Sequence, residues 1–273
     1  MKLLSSEGAT TPLVAVSNFA VQSHLSFRGL FLWLNPWAYA SNMFAAPVLN
    51  VVLFALVARY ATGEDPDAGL VLGVAMLAVP TMANGGILQS FTYERSFGTL
   101  SVLFVSPASR AAAYFSRGAL HLPNALLAGV VSLAAAMVVL QLDVSEARWD
   151  AVLAALVLVG TSSVAFALAV GNFALWFRNW LVLYGASNGA VLALSGAVIP
   201  REELPALLRA VGEALPMTHG LEALRRAIGG ATVVDLGGLL AAEVFVAGGY
   251  ALVGIVIYRW IERRARREGA LDD

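Results

Sequence analysis

The sequence predicts an all-α integral membrane protein: six transmembrane helices, an N-terminal interfacial helix, and short amphipathic helices between spans five and six. Composition is the first observation behind this. Of the 273 residues, 59% are hydrophobic and 13% charged, roughly half the usual charged share, which leaves too little polar surface to cover a soluble core of this size. Run length is the second. Six apolar runs stand at about 37–58, 68–90, 119–140, 151–177, 180–199 and 236–258, and each reaches the roughly 20 helical residues that cross a ~30 Å hydrocarbon core. Strands of a membrane barrel would be about half as long and would alternate. Lipid offers no partner to open backbone groups, so helices remain. The third is tryptophan placement: Trp33, Trp37, Trp149, Trp176, Trp180 and Trp260 all fall at the ends of runs, the interfacial position an indole favours.

Composition also excludes several functions. A net charge of −1 gives no basic excess for nucleic acid. The absence of cysteine removes disulfides, thiolate metal sites and cysteine nucleophiles, and no metal site or catalytic residue is expected.

Residues 1–36 read as a cytoplasmic N-terminal segment. Ser5, Ser6, Glu7 and Thr10 interrupt any apolar signal-peptide region. Phe27, Leu30, Phe31 and Leu34 recur at helical spacing with Arg28 opposite, the pattern of a helix along the membrane surface. Asn35-Pro36 then breaks the chain before span one. Pro47, Pro80 and Pro123 are expected to kink spans one, two and three. Gly185 and Gly189 form G-x-x-x-G in span five, allowing close helix approach either within the subunit or across a dimer. Between spans five and six, residues 205–215 and 218–228 carry amphipathic patterns separated by Leu215-Pro216. Residues 259–273 form a basic tail with Arg259, Arg263, Arg264, Arg266 and Arg267, an orientation anchor for an anionic leaflet.

Charge bias sets the orientation. Eleven positive residues, Lys2, Arg28, Arg95, Arg110, Arg117, Arg178 and the tail arginines, fall on the side that holds both termini, against six on the other. Glu64, Asp65, Asp67, Asp143, Glu146 and Asp150 crowd the two short loops of the opposite side. The positive-inside rule therefore makes both termini, and the loop after span two, cytoplasmic.

That loop, Phe91 to Arg117, reads FTYERSFGTLSVLFVSPASRAAAYFSR. Phe97, Leu100, Leu103 and Phe104 recur at helical spacing while Ser96 and Thr99 share another face, which describes a half-embedded interfacial helix. Gly98 would let a partner's backbone come close, and Ser106-Pro107 ends the helix. The residues alone leave open whether this stretch couples to a partner or only sets topology.

Glu94-Arg95, Gly98-Thr99-Leu100, Ser106-Pro107 and Ser109-Arg110 together resemble the signature loop of ABC-2 type transporter permeases, which follows the second of six spans. The likeness extends to the amphipathic segment before span one and the long loop before span six, without a large extra extracellular domain. It implies a six-helix ABC-2 domain over about 37–258, paired with itself or a sister permease, with two ABC ATPase subunits per complex. ATP-Mg would bind that partner, since this chain has no G-x-x-x-x-G-K-[ST] loop and holds no cofactor of its own. Glu94, Arg95, Gly98, Thr99, Leu100, Ser106, Pro107 and Arg110 would take up the ATPase's movement and pass it to spans one, two and five. The implied function is export of a hydrophobic or amphiphilic compound (drug, antibiotic or lipid-like) from a bacterial plasma membrane, with a lipid-linked glycan or polysaccharide as the alternative cargo.

Polar residues inside the spans are the remaining candidates. Asn42, Asn84 and Asn188, with Asn50, Gln89 and Asn172, either line a path or bond helix to helix. Glu243 lies within span six, where an acid is costly; it has a pathway role, snorkels outward, or pairs with Arg225 or Arg226. A proton-coupled secondary transporter would show internal repeats and several such charges. Gly185-Ala186-Ser187-Asn188-Gly189 matches the G-x-S-x-G elbow of a hydrolase, with His121 as an imaginable base, but an elbow needs a strand-to-helix turn and this pattern sits in an apolar helical run.

Overall fold

The computed structural model describes residues 36–96, 115–116, 118–142, 144–174 and 179–268. Their regular structure is helical throughout. The interfacial helix expected before span one lies outside these residues.

Span one begins as α1 (Pro36–Ala40), widens into a π turn (Ser41–Ala45) and continues as α2 (Ala46–Thr62). The π turn has a local cause. Pro47 has no N–H to give the carbonyl of Met43, four residues back, and the helix relaxes there. Span two is split in the same way into α3 (Ala68–Met76) and α4 (Ala78–Ser96). The break at Leu77 follows Met76, whose carbonyl Pro80 cannot serve. Asp67 starts α3 by accepting the Leu70 N–H at 2.9 Å, a side-chain N-cap. Pro123 does not kink span three: α5 (His121–Leu140) runs unbroken, because the proline sits in its first turn, where an N–H would lack an intrahelical partner anyway.

Span four is α6 (Trp149–Ala174) and span five is α7 (Trp180–Leu194), opened by Asn179, whose side chain accepts the Leu181 N–H at 3.0 Å. The outer segment carries α8 (Ala206–Glu213) and α9 (Thr218–Ile228), as its two amphipathic patterns predict. Span six is α10 (Gly237–Glu268). It continues through Arg259, Arg263 and Arg264, so the basic tail is the end of the same helix as far as Glu268.

Five of these helices are long and apolar enough to cross a membrane: Trp37–Thr62, Ala68–Thr92, His121–Leu140, Trp149–Phe173 and Gly237–Ile261. The run at 180–199 differs from the expectation. Its helix stops at Leu194 after 15 residues, about 22 Å at the helical rise, because Ser195 to Ile199 bends away with Gly196 at φ +83°.

Span four is the centre of the bundle, packing against spans two and six and against α9. Ala155, Leu156 and Val159 of span four join Val71, Ala75 and Val79 of span two and Leu221 and Leu224 of α9 in one buried core. A second cluster lies at the end of the bundle that carries residues 97–114. There Ile87, Leu88 and Phe91 bury against Ala167, Leu168 and Tyr258. Phe91, the first residue of the signature loop stretch, is therefore a fully buried anchor.

Candidate functional site

Two polar assemblies sit within this apolar bundle. The first surrounds Glu243, which is 0% exposed. Its Oε1 accepts the Met217 N–H at 2.9 Å and its Oε2 the Gly220 N–H at 3.0 Å. The Ser162 hydroxyl of span four donates to Oε1 as well. Met217 and Gly220 stand at the start of α9, where backbone N–H groups lack intrahelical partners and the helix dipole favours an anion. The carboxylate thus joins α6, α9 and α10. Met217 is held at φ +79°, a conformation that costs a non-glycine residue about 1–3 kcal/mol and persists only where surroundings enforce it. Gly220 permits the close approach: a Cβ there would stand 2.2 Å from Val159 Cγ2.

Pairing of Glu243 with Arg225 or Arg226 is not what the fold provides. Arg226 Nε bonds Glu222 at 2.7 Å one turn away. Arg225 Nη2 donates to the carbonyls of Gly69 at 2.6 Å and Gly196 at 3.0 Å, tying α9 to the start of span two and the bend after span five. Burial pulls the Arg225 pKa below its ordinary value, against the opposite pull of Glu222, Asp67 and Glu202. Glu243 meets backbone donors because its side of α10 faces the start of α9.

The second assembly is a cavity of about 630 Å³ between spans one, two, three and five. Tyr39, Asn42, Gln89, His121, Asn124 and Tyr184 give it polar walls toward the loop end, while Phe54, Val74 and Leu192 close it more deeply. Among the described residues, no Asp, Glu, Lys or Arg lines it. Some of its polar groups are engaged. Tyr39 donates its hydroxyl to Asn124 Oδ1 at 2.9 Å, and Asn188 donates from Nδ2 to the Tyr184 carbonyl at 3.0 Å while accepting from Asn84 Nδ2 at 3.3 Å. Others are not: the Ser132 hydroxyl has no hydrogen-bond partner among the described residues.

Of the sequence-predicted candidates, Asn42 and Asn188 line this cavity together, Asn84 supports it from behind through Asn188, and Glu243 belongs to the other assembly. Asn50 and Gln89 also line it, whereas Asn172 bonds the Gly254 carbonyl at 3.0 Å, joining spans four and six. Tyr39, Asn124, Tyr184 and His121 are cavity residues that the sequence did not assign; the signal that could have found them is Asn124, a polar amide three residues after His121 at the head of an apolar run. Glu94 and Arg95 stand in the last turn of α4, and Gly98, Thr99, Leu100, Ser106, Pro107 and Arg110 lie outside the described residues. Ser187 is buried in α7 and donates to the Tyr184 carbonyl at 3.1 Å, so the elbow pattern is an ordinary helical turn. A Cβ at Gly185 or Gly189 would meet no described residue within 4 Å, so among these residues the G-x-x-x-G makes no close helix contact.

No curated protein matches the chain. The family model for the ABC-2 type transporter matches residues 24–228, which takes in spans one to five, the signature loop and the outer helices. The chain therefore belongs to the ABC-2 type transporter family, as a multi-pass membrane permease of an ABC exporter.

Proposed function

We propose that this permease moves an uncharged amphiphilic compound, drug-like, antibiotic-like or lipid-like, through the cavity between spans one, two, three and five, driven by a separate ABC ATPase. The cavity's lining carries the reading. In a low-dielectric wall an unpaired charge costs several kcal/mol, and among the described residues this wall offers amides, hydroxyls and rings without a formal charge to neutralise one. A neutral solute with a polar head and an apolar body matches a lining that mixes amides, hydroxyls and an imidazole with apolar residues such as Phe54, Val74 and Leu192.

Coupling would run through residues 91–117. Span two ends and span three begins at this stretch, and both helices supply cavity walls through Gly86, Gln89, His121 and Asn124. Phe91, buried against spans four and six, would be the fulcrum. Closure of two ATP-Mg-bound ATPase subunits on Glu94, Arg95, Gly98, Thr99, Leu100, Ser106, Pro107 and Arg110 would favour one of two helix packings. The complex would contain two permeases, a second copy or a sister chain, in a bacterial inner membrane with both termini cytoplasmic, where charge bias puts them. Six crossings are consistent with a short α7, because the bend that completes it is covered by protein: Ser195 and Ala197 are each 1% exposed, and non-helical backbone at membrane depth requires such cover.

The test is ATPase activity and transport measured together in the reconstituted complex. Glu94→Ala and Gly98→Leu should insert normally, keep ATP hydrolysis within a few-fold and lose most transport. Wild-type transport in both variants would remove the coupling role.

A further inference from the structure

Spans two and three meet at Gly86 and His121. A Cβ on Gly86 would stand 2.2 Å from His121 Nδ1 and 2.5 Å from Cε1, so the imidazole occupies the volume of the missing methyl. The Nδ1–Cε1 edge of the ring stands against the backbone of span two, an approach that only glycine permits. Gly86 is itself fixed, since its carbonyl accepts the Ser90 hydroxyl at 3.0 Å. His121 is 7% exposed, lines the cavity, and has no hydrogen-bond partner among the described residues. Nδ1, Cε1 and Cγ are its atoms nearest Gly86, which leaves the Nε2–Cδ2 edge turned away from span two. One turn along the same helix, Asn124 is already engaged by Tyr39, and Asn188 across the cavity by Asn84 and Tyr184. Asn42 and the Tyr184 hydroxyl are also without a bond among the described residues, but both are more exposed; the imidazole is the buried side chain at this end whose bonding capacity no described residue uses.

We infer that His121 is the residue that selects the polar head of the transported compound, and that Gly86 is the positioning residue that holds its ring in place. The head it suits is neutral and hydroxylated, able to give or take a hydrogen bond at a ring nitrogen; a fixed cation finds no carboxylate among the described lining residues. This rests on the cavity being the transport path. One neutral hydrogen bond in such a site is worth about five- to tenfold in affinity.

The experiment uses the full chain in nanodiscs, read against empty nanodiscs, and three fluorescent amphiphiles that share a pyrenyl-hexyl body: one with a glucosyl head, one with trimethylammonium, one with methyl. Wild type should bind the glucosyl probe best and the cation worst. His121→Phe should weaken the glucosyl probe by about tenfold and leave the methyl probe unchanged. His121→Asn should restore most of the loss, and Gly86→Ala, which must displace the ring, should show the same head-selective loss. The pair Gly86→Ala with His121→Phe should be no worse than either alone. If His121→Phe fails to assemble, His121→Asn and Gly86→Ala carry the test. Equal weakening of all three probes, or glucosyl binding unaffected by every variant, would overturn the role of His121 while leaving the cavity as the path. No specific binding of any probe by wild type would remove the cavity reading, and this inference with it.

Discussion

Glu243 and the cavity both put polar atoms inside an apolar bundle, and they differ in whether the protein itself completes the hydrogen bonds. Glu243 receives three donors from two other elements and is wholly enclosed. The cavity keeps an imidazole and the Ser132 hydroxyl without partners among the described residues and leaves Asn42 and Asn50 exposed. Buried polar groups that are fully satisfied specify a packing; those left open at a concave wall are satisfied by something that comes and goes. An intramembrane acid is the feature a sequence reader reaches for first as functional, and here it is the closed, structural one of the two.

The largest expected effect breaks the closed assembly. Glu243→Ala strands the N–H groups of Met217 and Gly220, leaves the Ser162 hydroxyl only the Val159 carbonyl at 3.1 Å, and removes what holds Met217 at positive φ. Each stranded donor costs about 1–3 kcal/mol, so a loss of roughly 3 kcal/mol or more is expected. It should appear as a fall in thermal midpoint and in yield of folded protein, with Glu243→Gln in between. A Glu243→Ala protein that melts with wild type would mean the carboxylate does not hold α9.

The cavity should respond in the opposite way. Asn42→Leu and Asn50→Leu change exposed amides on span one, so folding stability should stay within about 0.5 kcal/mol of wild type. Apparent KM for an uncharged amphiphile should rise about fivefold in each, one neutral hydrogen bond's worth. Kinetic transport assays in proteoliposomes distinguish this from a lowered turnover with unchanged KM, which would take these residues off the path.

What the sequence revealed follows the same division. Local features were legible: the apolar runs, the proline-linked breaks before Pro47 and Pro80, the outer helices on either side of Leu215-Pro216, and interfacial tryptophans such as Trp37, 82% exposed at the start of span one. Features made by tertiary contact were not. Glu243 finds its partners 81, 26 and 23 residues away, and no spacing rule links an acid to a distant helix terminus. Hydropathy counted Ser195 to Ile199 as span because it scores residue type, whereas the bend there depends on backbone conformation at Gly196 and on its carbonyl's bond to Arg225. Gly86 carried no signal in the sequence and His121 entered only as an imaginable base for the elbow pattern; their contact shows in the 2.2 Å between the ring and the place a Cβ would take.

A third polar arrangement, at the entrance to span six, lies outside the bundle and should give the smallest effect. Thr232 and Asp235 cap each other: the Thr232 N–H and hydroxyl donate to Asp235 Oδ2 at 2.9 and 2.6 Å, and the Asp235 N–H reaches back to Thr232 Oγ1 at 3.4 Å. This is a capping box that starts the turn leading into α10. The Thr232 side-chain bond, then its backbone bond, hold the Asp235 carboxyl below its ordinary pKa of 3.8, with Arg148 adding to the same direction. A depressed folded pKa means the carboxylate stabilises the folded chain at pH values above that ordinary value, and that this contribution disappears as pH falls through the folded one. Asp235→Ala should therefore melt slightly below wild type at neutral pH and converge with it on acidification. A gap between the two proteins that persisted at pH values below the folded pKa would show that Asp235 acts through something other than its charge. Because this carboxyl is solvent-exposed, high salt at neutral pH should also narrow the gap, whereas the deficit of Glu243→Ala, enclosed in the bundle, should not change with salt.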